Sequence, residues 1–349
     1  MVTPGSFSKP APAAAVCYAG ELYDEAGCAG VVEGWNNFDF YDEHLSSIMS
    51  PLYTGMSCLP TTNSTDGTCT QGTYPIYVVS TRTVRDVQVS VNFARNQNLR
   101  LVVKNTGHDF GGKSSGRGSL SVRMNLLNEM AFIEEYSGGG YMGPAFKVGS
   151  SVEGRDIFAF AKEFGYMVVS VEGATVGYAG GYIQGGGHSP LGSALGMGTD
   201  SVLSLNVVMA KGRFVTASKE NHPDLYWALC GGGGGSERPT FAPLTETRQH
   251  PHHNLLIHPD CEHQGYASRG NRKPGHTDFW EVVKVYFRLF PEHADKGIYS
   301  YWNIVVQPDK GIKFVMAPSL LHAPQQKKSQ PSSPQSSPRL QTSGSRSTP

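Results

Sequence analysis

Glycine placement constrains this chain more than any other feature of its sequence. Of 349 residues, 42 are glycine, and many crowd into three stretches, 107–118, 173–187 and 231–235. Glycine serves where a backbone must take a positive φ or let another group come close. These stretches lie between apolar, strand-like segments. They therefore read as loops that wrap a ligand, with ordinary turns as the alternative.

Around the loops, strands and helices alternate. Ile76–Ser80 is a short β-rich run, and Thr83–Asn96 is helical, with Val84, Val87, Val91 and Ala94 on one stripe. Leu101–Val103 and Leu120–Met124 read as buried strands. Phe146–Val148 leads into a helix over Val152–Phe164, followed by a strand over Tyr166–Val171. Val202–Met209 and Arg213–Ala217 form a hairpin across Lys211-Gly212. The alternation implies an α+β or α/β fold. Residues 237–274 show no helix or strand period, whereas Thr277–Phe290 is an aromatic amphipathic helix and Tyr299–Val306 a strand. From about Ala317 the chain is rich in Ser, Pro and Gln with little to bury, and is expected to be disordered.

Charge and cysteine narrow the setting. Lys and Arg total 29 and Asp and Glu total 29, which gives no electrostatic reason to expect nucleic acid or an anionic membrane as partner. No apolar run of about 18 residues is present, so no transmembrane helix is expected. Met1–Ala15 contains no apolar run of the kind a signal peptide needs. The close spacing of Cys17 with Cys28, and of Cys58 with Cys69, suits two local disulfides and a secreted protein whose signal lies outside this sequence. Four free thiols in a cytosolic protein is the other reading. Asn63-Ser64-Thr65 is a glycosylation sequon.

The most informative segment is Lys104-Asn105-Thr106-Gly107-His108-Asp109-Phe110-Gly111-Gly112-Lys113-Ser114-Ser115-Gly116. Gly107–Ser114 fits the phosphate-loop pattern of nucleotide hydrolases. That motif needs a helix to begin at the Lys-Ser pair, and Ser115-Gly116-Arg117-Gly118 is poor helix-forming sequence. A strand followed by a turn whose amides grip a pyrophosphate fits better. The second segment runs Gly173-Ala174-Thr175-Val176-Gly177-Tyr178-Ala179-Gly180-Gly181-Tyr182-Ile183-Gln184-Gly185-Gly186-Gly187-His188-Ser189. The third, His222–Cys230, is a short helix leading into five glycines.

Together these segments resemble the fungal flavin-dependent oxidases of the vanillyl-alcohol-oxidase and berberine-bridge-enzyme type, which carry a PCMH-type FAD-binding domain. The resemblance covers roughly Ala15–Ser236 and returns over Thr277–Val306. It implies a two-subdomain α+β FAD-binding domain over 73–236, behind an N-terminal arm (1–72). An irregular segment (237–276), an incomplete antiparallel-sheet substrate domain (277–316) and a disordered tail (317–349) would follow. It implies FAD as cofactor, linked covalently through His108, and cofactor contacts from Lys104–Gly112, Ser114, Thr175–Gly177, Gly180, Gly181 and Gln184–His188. His188 reads as structural rather than catalytic, and Tyr182 and Gln184 as facing the flavin. Some relatives carry a second flavin-linking Cys where this chain has Gly173, which excludes a second bond there. The implied partners are a small-molecule alcohol or amine and dioxygen. An FAD-binding fragment without turnover and a degenerate secreted binding protein remain as alternatives. No catalytic base is assigned, because in relatives it often lies in the C-terminal half. The strand expected after Ser236 is not recognisable. The residues His250, His252, His253, His258, Cys261 and His263 have zinc-ligand chemistry but no zinc-site spacing, so no metal is expected.

Overall fold

The computed structural model describes residues 1–49, 54–65, 67–234, 241–248, 250–251, 255–257, 277–307, 311–316 and 320–322. The chain opens with a short strand, β1 (Phe7–Ser8), and two helices, α1 (Glu25–Gly34) and α2 (Phe38–Glu43). Disulfides Cys17–Cys28 and Cys58–Cys69 both form, each spanning 11 residues of sequence. They close small loops around an apolar cluster of Ala14, Ala15, Val31 and Cys58.

The first sheet follows. Strand β2 (Tyr77–Ser80) leads through helix α3 (Val84–Asn96) to β3 (Leu101–Lys104), and β4 (Leu120–Arg123) inserts between β2 and β3. The strand order is β1-β2-β4-β3, parallel within β2-β4-β3 and antiparallel at β1. Helix α3 starts at a capping box between Thr83 and Asp86, which satisfies two amides that a helix start otherwise leaves open. Its Val87 and Val91 pack on Val122, Met124 and Val208. The apolar stripe seen in the sequence is thus the face that joins the two sheets.

The second sheet is antiparallel. Strands β5 (Met130–Gly138) and β6 (Tyr141–Gly149) form a hairpin, then come helix α4 (Gly154–Glu163) and the short strand β7 (Tyr166–Met167). A four-residue helix α5 (Gly192–Leu195) precedes the hairpin β8 (Val202–Val208) and β9 (Phe214–Ser218), and helix α6 (Pro223–Leu229) follows. The β8–β9 turn is where the sequence placed it: Gly212 sits at φ 73° and its amide donates to the Met209 carbonyl. The main core lies between this sheet and α4, around Phe146, Val148, Ile157, Tyr178, Ile183 and Leu205.

Three expectations need correction. Residues 237–274 read as aperiodic, yet β10 (Phe241–Arg248) is a full strand inserted between β6 and β8, giving the order β5-β6-β10-β8-β9. Pro243 obscured it, since proline cannot donate to a ladder and belongs on edges or at bulges. The pairing with β8 shifts register between Phe241 and Leu244, which is where the proline falls. The tail expected to be disordered from 317 contains β16 (Leu320–His322). It pairs with both β12 (Leu255–Ile257) and β13 (Ile298–Tyr299). The remaining tail residues lie outside the described residues. The strand expected over Tyr166–Val171 is only the two residues of β7, which pair with β11 (His250–Pro251). Helices α7 (Thr277–Arg288) and α8 (Phe290–Asp295) and the ribbon of β14 (Trp302–Gln307) with β15 (Gly311–Met316) complete the described chain. No described helix is long and apolar enough to cross a membrane.

Candidate cofactor site

The first glycine loop leaves the C-terminal end of β3. Lys104, the last residue of that strand, is buried, and its ammonium donates to the backbone carbonyls of Tyr41 (2.7 Å), His44 (2.6 Å) and Asp42 (3.3 Å). Beside it in register on β4, Arg123 donates to the carbonyls of Asp42 (2.6 Å) and Glu43 (2.9 Å). The C-terminal carbonyls of α2, which a helix leaves unpaired, are therefore gripped by two cations. Burial, and then Arg123, push the Lys104 ammonium well below the usual lysine range. Three carbonyl acceptors match the three donors of the charged form. The ammonium of Lys104 fastens the N-terminal arm to the loop.

The next residues reach across to the second glycine loop. Asn105 donates to the Ser150 carbonyl at 2.6 Å, and Thr106 Oγ1 accepts from the Gly177 amide at 3.1 Å. Gly107 holds φ 91°, and its carbonyl accepts from the Met49 amide. His108 Nε2 then lies 2.8 Å from Thr175 Oγ1, while its ring rests against Phe38 of α2 with centroids 5.5 Å apart. Burial pushes the His108 imidazole down to about 4, only partly opposed by the Thr175 backbone. The ring is therefore neutral at physiological pH.

Beyond His108 the loop closes on itself. Asp109 accepts from the Gly111 amide (2.6 Å) and pairs with Lys113 (2.9 Å). The Gly112 amide donates to the Asp109 carbonyl and the Ser115 amide to the Gly112 carbonyl. The expected amide cradle is accordingly smaller than the motif suggested: the Gly111 and Gly112 amides already have acceptors. Among the described residues nothing accepts from the amides of His108, Asp109 and Phe110. Ser114 is half-buried and Phe110 exposed. No helix begins at Lys113-Ser114, as the phosphate-loop reading would have needed.

The second loop is positioned by α4. The amides of Gly154 and Arg155, in the first turn, donate to the carbonyls of Val176 and Ala174, and the Tyr178 amide donates to the Val152 carbonyl. A Cβ at Gly177 would overlap the Asn105 amide nitrogen, and one at Gly180 would lie 2.6 Å from it. Both positions must be glycine for Asn105 to cross. Further along, the amides of Gly198 and Thr199 donate to the carbonyls of Gly187 and Gly186, and Tyr182 donates to the His188 carbonyl at 3.0 Å. The third glycine stretch joins here: the Gly233 amide donates to the Gln184 carbonyl at 2.7 Å. The His188 side chain is exposed. Gly181 and Gly185 are also exposed, and Gln184 is half-buried.

A family model described as an FAD binding domain matches residues 75–218. The chain is 39% identical over 260 residues to FAD-linked oxidoreductase sthB of Phaeosphaeria nodorum, covering 74% of this chain and 78% of that protein. The chain belongs to the FAD-linked oxidoreductases. It is also 37% identical over 291 residues to VAO-type flavoprotein oxidase VAO615 of Thermothelomyces thermophilus, covering 82% of this chain and 49% of that one. The crystal structure of VAO-type flavoprotein MtVAO615 from Myceliophthora thermophila C1 superposes with a TM-score of 0.77 at 33% identity, over 92% of this chain and 56% of the other. The chain thus spans about half the length of several curated relatives it matches.

The meeting point of the loops in this FAD-linked oxidoreductase fits a large polar cofactor. Asn105 Oδ1, Ser150 Oγ and Ser151 Oγ are buried with no partner among the described residues, and an orphaned buried acceptor or hydroxyl costs about 1–3 kcal/mol unless a ligand or water meets it. The glycines at 177 and 180 leave bare backbone beside Asn105. The sequence identified both loops. It missed Phe38, Ser150 and the Lys104–Arg123 clamp, whose partners lie at long sequence separations and in no motif.

Proposed function

We propose that this chain is the flavin-holding part of an oxidase, with FAD bound where the two glycine loops meet and joined covalently to His108. The observation that carries the reading is the His108 ring, neutral and held between Thr175 of the second loop and Phe38 of the N-terminal arm. A neutral imidazole is a competent nucleophile. Forming the link joins an imidazole nitrogen to the methyl carbon of the isoalloxazine ring. Such a link would release one C–H proton, the imidazole N–H proton and an electron pair, which dioxygen would accept as peroxide. The bound flavin would supply hydride acceptance from a small-molecule alcohol or amine and return of the electrons to dioxygen. The residues of this chain do the rest. Asn105, Ser150 and Ser151 offer polar atoms to the cofactor, Thr175 and Phe38 orient His108, and Gly177, Gly180 and Gly181 let the backbone lie close. The two disulfides and the exposed sequon at Asn63 support an oxidising, secretory setting.

The test is the visible spectrum of the purified protein before and after acid precipitation, alongside His108→Ala. Yellow colour that stays with the precipitate, and is lost from the precipitate of the variant, is expected. Colour released into the supernatant of the unaltered protein would keep FAD binding and remove the covalent bond. Absence of colour after incubation with FAD would overturn the reading. A second reading, FAD binding without turnover, is supported by the small described sheets after β10, of three and two strands. It predicts a yellow protein that no alcohol or amine bleaches under anaerobic conditions.

A further inference from the structure

The flavin site leaves Asn63-Ser64-Thr65 unused, the sole N-glycosylation sequon in the 349 residues. Asn63 and Thr65 are exposed. They lie near the middle of the loop that the Cys58–Cys69 disulfide closes. The folded loop already uses the groups that a glycan transfer needs. Thr65 Oγ1 donates to Asn63 Oδ1 at 2.9 Å, and the Thr65 amide donates to the same oxygen at 3.3 Å. The Asn63 amide donates to Thr61 Oγ1 and Thr61 Oγ1 to the Asn63 carbonyl, each at 3.1 Å. The Ser64 carbonyl accepts from the Ala19 amide at 2.9 Å, which ties the sequon to the Cys17–Cys28 loop. Tyr18 adds a bond to the Leu59 carbonyl at 2.7 Å.

A transferring enzyme has to seat the asparagine side chain and the hydroxyl two residues on in its own pocket, on a chain extended enough to enter. In an open chain the local side-chain-to-backbone bonds of 61–65 compete only weakly with that pose. Cross-linking removes the extended conformations, and the folded turn is what remains. We infer that Asn63 is an N-glycan acceptor timed by the neighbouring disulfide: the glycan is transferred while Cys58 and Cys69 are still thiols, and closure of their loop ends the reaction. In the transfer, a bond forms between Asn63 Nδ2 and C1 of the first sugar as the bond from C1 to a lipid-linked pyrophosphate donor breaks. Nδ2 loses one proton, the lipid pyrophosphate departs, and nothing is oxidised. Loop closure is separate, passing two electrons and two protons from the thiols to a disulfide oxidant of the secretory compartment. Chains that oxidise first escape modification, so the protein emerges as a mixture of glycosylated and bare forms. The inference is independent of how, or whether, flavin is attached.

The experiment translates the full chain, behind a cleavable signal sequence, in the presence of endoplasmic-reticulum microsomes. Protection from added protease identifies the chains that have entered. Among these, a single gel shift removed by an N-glycan endoglycosidase is expected. It should be lost in Asn63→Gln and Thr65→Ala and kept in Ser64→Ala, which leaves the sequon intact. Cys58→Ser combined with Cys69→Ser is expected to lower the bare fraction at least about twofold. Cys17→Ser combined with Cys28→Ser, which removes the other disulfide, should lower it less. Because transfer acts on the open chain, a variant that folds poorly still reports. Protected chains of the unaltered sequence with no shift would overturn the acceptor assignment and the order of events with it. Three results would overturn the role of loop closure: full occupancy in the unaltered chain, an equal bare fraction with and without the Cys58–Cys69 pair, or an equal fall on removing either disulfide, which would signal general loosening of the arm.

Discussion

The two glycine loops meet at one place but are built on opposite rules. In the first loop the side chains do the anchoring. Lys104, Asn105, Thr106 and His108, four residues in five, reach to α2, to Ser150 and to the second loop. Gly107 only lets the chain turn, at φ 91°. In the second loop, Gly177 and Gly180 have negative φ, of −68° and −104°, so a positive φ is not what demands glycine there. Space does, because Asn105 of the first loop passes where their side chains would be. One loop is thus specified by what its residues bring, the other by what they leave out. Two stretches that look alike in composition should fail in different ways.

The largest effect should come from breaking the first loop at its root. Lys104→Met keeps the length of the side chain but removes its charge and all three hydrogen bonds. It leaves the carbonyls of Tyr41 and His44 without their donor. Leaving buried carbonyls without their donor costs about 1–3 kcal/mol each, which for a domain of this size is on the order of 10 °C in Tm. Thermal unfolding measures it. A loss within about 0.5 kcal/mol would show that the arm is held without the clamp. The covalent fraction of flavin should fall as well, because Phe38 sits on the helix that Lys104 holds.

Acid should undo the same loop next. Burial pushes His108 down to about 4, and burial, then Lys104 and Arg123, push His44 down to about 4, both from an ordinary 6.5. Both groups are depressed in the folded state. The stability they contribute is fully present above 6.5 and is lost as pH falls from there toward 4. A combined change of roughly 5 kcal/mol over that window is expected from the two rings. Glu153, raised to about 7 chiefly by burial, changes stability in the opposite sense, losing its contribution as pH rises from its ordinary 4.5 to about 7, so it partly offsets the histidines. Unfolding free energy measured from pH 7 to pH 4 should fall less steeply in His44→Asn combined with His108→Asn. An unchanged slope would mean that neither ring stays neutral in the fold.

What the sequence made legible follows the same division. Local rules exposed α3, through the stripe of Val84, Val87, Val91 and Ala94, and the β8–β9 hairpin, through the turn at Lys211-Gly212. The loops themselves were visible as glycine runs. The strand β10 was hidden because its proline falls at a bulge, which only the pairing with β8 reveals. Lys104 carried a motif position but not its purpose, since its acceptors lie some 60 residues earlier and are backbone atoms that any sequence would supply. Gly177→Ala tests the part that was least legible. The new methyl would overlap Asn105, which cannot swing aside without losing its 2.6 Å bond to the Ser150 carbonyl. Overpacking of this kind costs about 1–3 kcal/mol. Combining it with Asn105→Ala should recover part of the loss. A double variant no more stable than Gly177→Ala would move the requirement for glycine elsewhere.

The smallest effect on folding separates architecture from cofactor. Gly181 belongs to the second loop but is exposed, has no strained φ, and would meet nothing within 4 Å of a new Cβ. In the protein alone Gly181→Ala should therefore change stability by less than about 0.5 kcal/mol. If the flavin lies against this backbone, the same methyl intrudes on it, so FAD retention should weaken while Tm of the apoprotein stays put. Gly177→Ala lowers both, because its conflict is with Asn105 and is present before any cofactor arrives. Equilibrium dialysis of FAD against the two variants, set beside their apoprotein melting curves, distinguishes a glycine kept for the fold from one kept for the ligand. A Gly181→Ala protein that binds FAD as tightly as the unaltered chain would place the flavin away from this turn, and would confine the second loop's contribution to Gly177, Gly180 and the residues they admit.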